Sequence, residues 1–146
     1  MKKGSNNRNK QRIKVARLHE KVTNQRKDFL HKLSRQITNA YDCVCIEDLN
    51  MKSMSQALNF GKSVADDSWG AFTTMLTYKL QEQGKQLIKI DKIFPSSKTC
   101  SRCGTVKENL SLAERTYTCD VCGAVIDRDY NASINIKNEG MRLVLA

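Results

Sequence analysis

Two short cysteine pairs, Cys100-Ser101-Arg102-Cys103 and Cys119-Asp120-Val121-Cys122, stand fifteen residues apart in a chain of 146. This spacing constrains the fold more than any other feature, because four thiolates so arranged can close on one tetrahedral ion. Zinc takes four ligands at ~2.3 Å from sulfur and involves no redox chemistry. Two residues between cysteines let one tight knuckle present both sulfurs to it. Gly104 and Gly123 follow directly and permit the positive-φ turn that such knuckles use. The stretch Thr105 to Thr118 is long enough for a small hairpin closing the loop. Disulfides would need an oxidising compartment, for which the chain carries no targeting signal, and a redox C-x-x-C rarely occurs twice at this separation. The expectation is structural zinc on Cys100, Cys103, Cys119 and Cys122, with no open coordination position for catalysis. Cys43 and Cys45 read as buried free thiols rather than ligands.

Charge is as unevenly distributed as the cysteines. The net charge is +10, and residues 1–40 hold 12 Lys/Arg against Glu20 and Asp28, so the remainder of the chain is neutral. A cationic segment of this kind points to a polyanion, and nucleic acid suits it in the absence of an amphipathic membrane signature. Lys10, Arg12, Lys14 and Arg17 are the candidate contacts. A solvated helix face is the plainer alternative. No run approaches the ~18 apolar residues of a membrane span, and no apolar stretch follows the basic N-terminus as in a signal peptide. A cytoplasmic, prokaryotic setting is therefore expected.

Hydrophobic spacing divides the rest. Residues 1–10 are polar and Asn-rich and read as a flexible lead-in. From about Gln11 to Asn39, Val15, Val22 and Phe29 recur every seven residues with Leu18, Leu33 and Ile37 beside them, which predicts a long basic helix able to pair with a partner helix from outside this chain. Tyr41 to Ile46 is mostly apolar on both alternate sets, as in a central strand buried on two faces. Met51 to Lys62 reads as a loop. A cap at Asp66-Asp67-Ser68 opens a helix carrying Trp69, Phe72, Leu76 and Leu80, which Gly84 ends. Lys85 to Phe94 reads as a second strand, and Asp129 to about Asn138 as a final helix bearing Ala132, Ile134 and Ile136. Glu47 ends the first strand and Asp129 opens the last helix. Hard cations prefer oxygen, and phosphodiester cleavage on two Mg²⁺ ions needs converging carboxylates. Acids at element ends are also ordinary caps, so position alone leaves both roles open.

Three blocks carry more specific information. Cys45-Ile46-Glu47-Asp48-Leu49-Asn50-Met51-Lys52, Phe94-Pro95-Ser96-Ser97-Lys98-Thr99-Cys100-Ser101-Arg102-Cys103-Gly104 and Asp127-Arg128-Asp129-Tyr130-Asn131-Ala132-Ser133-Ile134-Asn135-Ile136 resemble, in order and spacing, the hallmark blocks of the TnpB family of transposon-encoded RNA-guided DNA nucleases, related to the type V CRISPR effectors. The resemblance runs from about Lys3 to Asn138. It implies an α/β fold: part of an RNase H-like (RuvC) core, an inserted four-cysteine zinc ribbon and a long basic N-terminal helix. Segments of 1–40 (basic arm), 41–94 (partial core), 95–126 (ribbon) and 127–146 (final helix and tail) follow. Glu47 would be the second catalytic carboxylate and Asp129 the third, two residues before Asn131, with Asp127 as the fallback. Mg²⁺ would be the catalytic cofactor, DNA the substrate and a guide RNA the partner, the duplex being held by its backbone while base pairing reads the sequence. The first-strand Asp of such sites has no counterpart before Tyr41, and the N-terminal recognition domains are absent. The expected chain is thus a C-terminal part, catalytically incomplete alone, which another chain could complete. A non-enzymatic zinc-dependent nucleic-acid-binding module is the alternative.

Overall fold

In the computed structural model of the chain, residues 4–49, 68–111 and 113–145 are described. The loop expected over Met51–Lys62, the Asp66-Asp67 part of the cap and the end of the first motif block lie outside them. Helix α1 spans Asn6–Ala40. It begins earlier than apolar periodicity predicts because Ser5, in extended conformation, accepts the Arg8 N–H and caps the helix. No Gly or Pro interrupts it, and Tyr41 leaves it in extended conformation with its N–H still bonded to Ile37 O at 3.0 Å.

Strand β1 (Cys43–Glu47) pairs in parallel with β2 (Gln86–Ile90), Glu47 lying opposite Ile90. Helix α2 (Ser68–Glu82) precedes β2 in the crossover that a parallel pair requires. Gly84, at φ 67°, turns the chain out of α2 while the Lys85 N–H returns to Leu80 O at 2.8 Å, a left-handed C-terminal cap. β2 is shorter than the apolar alternation to Phe94 implies. The Asp91 carboxylate accepts the Ile93 N–H at 2.8 Å, and this local turn takes the chain out of the ladder. Among the described residues β1 has no neighbour but β2. The strand read as central and buried on both faces is therefore half-buried throughout, as are Cys43 and Cys45.

The second sheet is a three-residue hairpin, β3 (Thr116–Thr118) antiparallel to β4 (Val125–Asp127). It encloses the second cysteine knuckle rather than lying between the two knuckles. A single bridge, Thr99 with Val106, encloses the first. Helix α3 (Arg128–Leu145) runs past the expected end near Asn138. Gly140 does not terminate it. That glycine lies against β1, where an added Cβ would meet Cys45 Cβ at 2.8 Å and Cys45 Sγ closer still. A missing side chain here lets helix and strand approach.

Among the described residues, α1 joins this body through its last turns, against α2 and Lys85. The join is polar. Lys79, 3% exposed, donates to His31 O and Ser34 Oγ at 2.7 Å each, and Lys85 donates to Thr38 O at 2.7 Å. Burial pushes the Lys79 ammonium below its ordinary value, with Arg35 adding to the effect. Before Leu30, every residue of α1 is exposed. No described helix is long and apolar enough to cross a membrane.

Candidate metal centre and carboxylate cleft

The four cysteines converge. Their sulfurs lie within 4.8 Å of one another, with Cys100 to Cys122 at 3.7 Å and Cys103 to Cys119 at 3.6 Å. A tetrahedron with ~2.3 Å bonds has edges of ~3.8 Å, whereas a disulfide would bring sulfurs to ~2.05 Å. The two knuckles use the same bonds. Cys100 N–H reaches Thr105 O and Gly104 N–H returns to Cys100 O, both at 2.8 Å; Cys119 N–H reaches Ala124 O at 2.9 Å and Gly123 N–H returns to Cys119 O at 3.1 Å. Gly104 and Gly123 hold φ of 78° and 68°, which a side chain would strain. Cys103, beside the Thr105 hydroxyl and backbone N–H, is pushed down to about 6, and the Cys122 and Val121 N–H groups lower Cys119. Cys122 moves the other way: the Ala124 N–H lowers it, but burial and the neighbouring thiols push it up to about 11. Backbone N–H groups thus favour thiolate, the form zinc binds, while the crowding of sulfurs opposes it. Tyr117 fills the space behind, 1% exposed, its hydroxyl donating to Lys98 O at 3.1 Å. Four soft ligands at tetrahedral separation can hold one zinc ion.

Cys43 and Cys45 are not in this cluster. They face each other on β1 with sulfurs 4.0 Å apart, and burial, followed by the neighbouring thiol, pushes Cys45 up to about 11.

Glu47 and Asp129 line a single open cleft of about 590 Å³ together with Lys92, Lys98 and Arg128. Glu47 reaches it from the C-terminal end of β1 and Asp129 from the first turn of α3. Asp127 does not line it. Its carboxylate accepts the Tyr130 N–H at 2.9 Å and caps α3, leaving Asp129 as the acid turned to the cleft. Asp48 lies outside it as well, paired with Lys89 at 3.2 Å. Carboxylate oxygens suit a hard cation. Of the cations lining the cleft, Lys98 donates to Glu108 O at 2.8 Å and Arg128 to Ser111 O and Glu114 O at 3.0 and 3.1 Å, which ties both to the ribbon segment.

A set of residues missed by sequence reasoning joins cleft and ribbon. Ser96 donates its hydroxyl to Glu47 Oε1. Asn135 donates to Ser96 O at 2.8 Å and to Thr99 O at 2.6 Å; Asn131 donates to Thr99 O at 2.7 Å and accepts the Ser101 N–H at 2.9 Å. Asn131 and Asn135 are 0% and 5% exposed. Two amides one helical turn apart, on a face that otherwise packs inward, were the available signal.

The candidate nucleic-acid contacts stand apart. Lys10, Arg12, Lys14 and Arg17 all lie on the exposed part of α1, yet they do not form one patch. At 3.6 residues per turn, Lys10, Lys14 and Arg17 share a face and Arg12 lies about 200° round from Lys10.

With this geometry in hand, comparison with known proteins is direct. The model described as "Probable transposase" matches residues 1–58, and the one described as "Cas12f1-like, TNB domain" matches 69–136. The chain belongs to the TnpB family. It is 46% identical over 139 residues to a "Putative RNA-guided DNA endonuclease" of Streptomyces pristinaespiralis, covering 95% of this chain and 34% of that protein. It is 33% identical over 134 residues to a TnpB-like protein of Acanthamoeba polyphaga mimivirus, covering 88% of this chain and 25% of the relative. The fold matches the protein in a Cas12f1–sgRNA–target DNA complex at a TM-score of 0.65 and 23% identity, covering 88% of this chain and 39% of the other. This TnpB-family chain thus spans about a third or less of the length of those curated relatives. Its mixed helix-and-sheet architecture is that of the corresponding part of the Cas12f1 structure.

Proposed function

We propose that this chain is the C-terminal part of a TnpB-like RNA-guided DNA endonuclease, with Glu47 and Asp129 as carboxylate ligands in a RuvC-type nuclease site. The observation that carries the reading is that these two acids, far apart in sequence, line one cleft with three cationic side chains. In this reading Mg²⁺ activates water and stabilises the leaving oxygen when bound. Glu47 and Asp129 supply the hard oxygen donors. Lys92, which lines the same cleft, supplies positive charge for the phosphodiester. The segments 1–40, 41–94, 95–126 and 127–146 are respectively the basic arm, the partial RuvC core, the zinc ribbon and the final helix. Cys100, Cys103, Cys119 and Cys122 hold a structural zinc. DNA and a guide RNA are the partners of the complete assembly. The arm carries the second, non-enzymatic component of function: its exposed cations contact the nucleic-acid backbone without reading sequence.

Two experiments test this. Titration with Mn²⁺, followed by electron paramagnetic resonance, should detect a weak ion on the wild-type chain and lose it in Glu47→Gln and Asp129→Asn. Binding indifferent to both substitutions would reject the cleft as the metal site. With Mg²⁺ or Mn²⁺ and single-stranded DNA, the chain alone should show no cleavage, because two carboxylates fall short of the ligands that two ions need. Cleavage abolished in both variants would overturn the incompleteness and leave the site assignment standing.

A further inference from the structure

We infer that Ser96 is the positioning residue for Glu47, and that through it the seating of the ribbon on α3 sets where the carboxylate points. The inference rests on the metal-binding reading of the cleft. Ser96 is 6% exposed, so water competes little for its hydroxyl, and that hydroxyl donates to Glu47 Oε1. A glutamate at a strand end has three rotatable torsions, and this bond removes most of that freedom while Oε2 remains for a cation. Ser96 is itself held. Its carbonyl accepts from Asn135 at 2.8 Å, and its N–H donates to Phe94 O at 2.8 Å. Three residues on, Asn131 and Asn135 both donate to Thr99 O, directly before the first zinc knuckle at Cys100. The residues from Ser96 to Ser101 therefore form a short strap tied to α3, with Glu47 bound at one end and a thiolate knuckle at the other. Carboxylates that ligate metals are commonly oriented by such outer hydrogen bonds, and losing one typically weakens metal binding about ten- to a hundredfold.

The test is Mn²⁺ affinity of the full chain, by electron paramagnetic resonance, in wild type, Ser96→Ala, Ser96→Thr and Glu47→Gln, with zinc content and thermal melting measured on each. Ser96→Ala should weaken Mn²⁺ binding about tenfold or more while retaining zinc. Ser96→Thr, which keeps the hydroxyl, should restore it. Unchanged affinity in Ser96→Ala alongside loss in Glu47→Gln would overturn the role of Ser96 and leave the metal site intact. A threonine variant as weak as the alanine one would also overturn it. Affinity unchanged in Glu47→Gln would instead remove the reading on which the inference rests.

Discussion

The arm and the ribbon–α3 junction are held in opposite ways. Along α1 the apolar side chains Ile13, Val15, Leu18, Val22 and Phe29 are 44–62% exposed, and among the described residues it is the last turns that touch the body. At the junction, Tyr117, Asn131 and Cys100 are at most 1% exposed and their polar atoms are bonded within the chain. The first region is specified by local terms: propensity, an uninterrupted run and a serine cap. The second is specified by long-range terms, and a single removed group there leaves a buried partner unsatisfied. The lesson is that helix and ribbon should answer differently to substitution, the ribbon through stability and the arm through binding.

The largest break should come from Cys119→Ser. Zinc binding to such sites contributes on the order of 10 kcal/mol to folding of the segment. Loss of one thiolate should release the ion and open residues 95–126 to protease, checked by atomic absorption and limited proteolysis. Acid should act in the same direction. Zinc binds the thiolate form, so protons compete with it for all four sulfurs, and zinc content should fall as pH is lowered. Next in size is Asn131→Ala, which strands the Ser101 N–H and removes one of the two amide donors to Thr99 O; a cost of about 2–3 kcal/mol is expected in denaturant melts. Gly140→Ala should cost about 1–3 kcal/mol, because the new methyl meets Cys45 and α3 must shift from β1. The smallest effect on stability, within about 0.5 kcal/mol, is expected from reversing Lys10, Lys14 and Arg17 together. Those same changes should flatten the salt dependence of nucleic-acid binding, which for about six phosphate contacts falls on the order of a thousandfold between 50 and 200 mM salt. A triple reversal that melts the protein yet leaves the salt slope intact would invert the contrast between the two regions.

What could be read in the residues follows the same division. The cysteine cluster and the long helix are legible because each rests on a spacing, two residues within a knuckle and seven along α1; the two strands are legible as apolar runs, but their parallel pairing is not. The errors lie where local chemistry overrides spacing. Ser5 extends α1 through Asn-rich residues without apolar periodicity, Asp91 cuts β2 short, and Gly140 serves close packing inside α3 rather than ending it. In the cleft, the acids could be singled out as element ends, and the structure separates Asp127, a cap, from Asp129, which faces the cleft. The spacing of Asn131 and Asn135 marks them as inward-facing amides, but the partners of Ser96, Asn131 and Asn135 lie 30 to 49 residues away, and no periodicity reports a hydrogen bond at that range.

The joint between β4 and α3 has no spare length. Asp127 is at once the final strand residue and the helix cap, and Arg128 already belongs to the next element. Such a joint behaves as a keyed shaft rather than a hinge: one residue inserted there would turn everything beyond it by about 100°. Asp129 would swing off the cleft, and Asn131 and Asn135 would lose the strap together. At this one wrist the count of residues is itself part of the site.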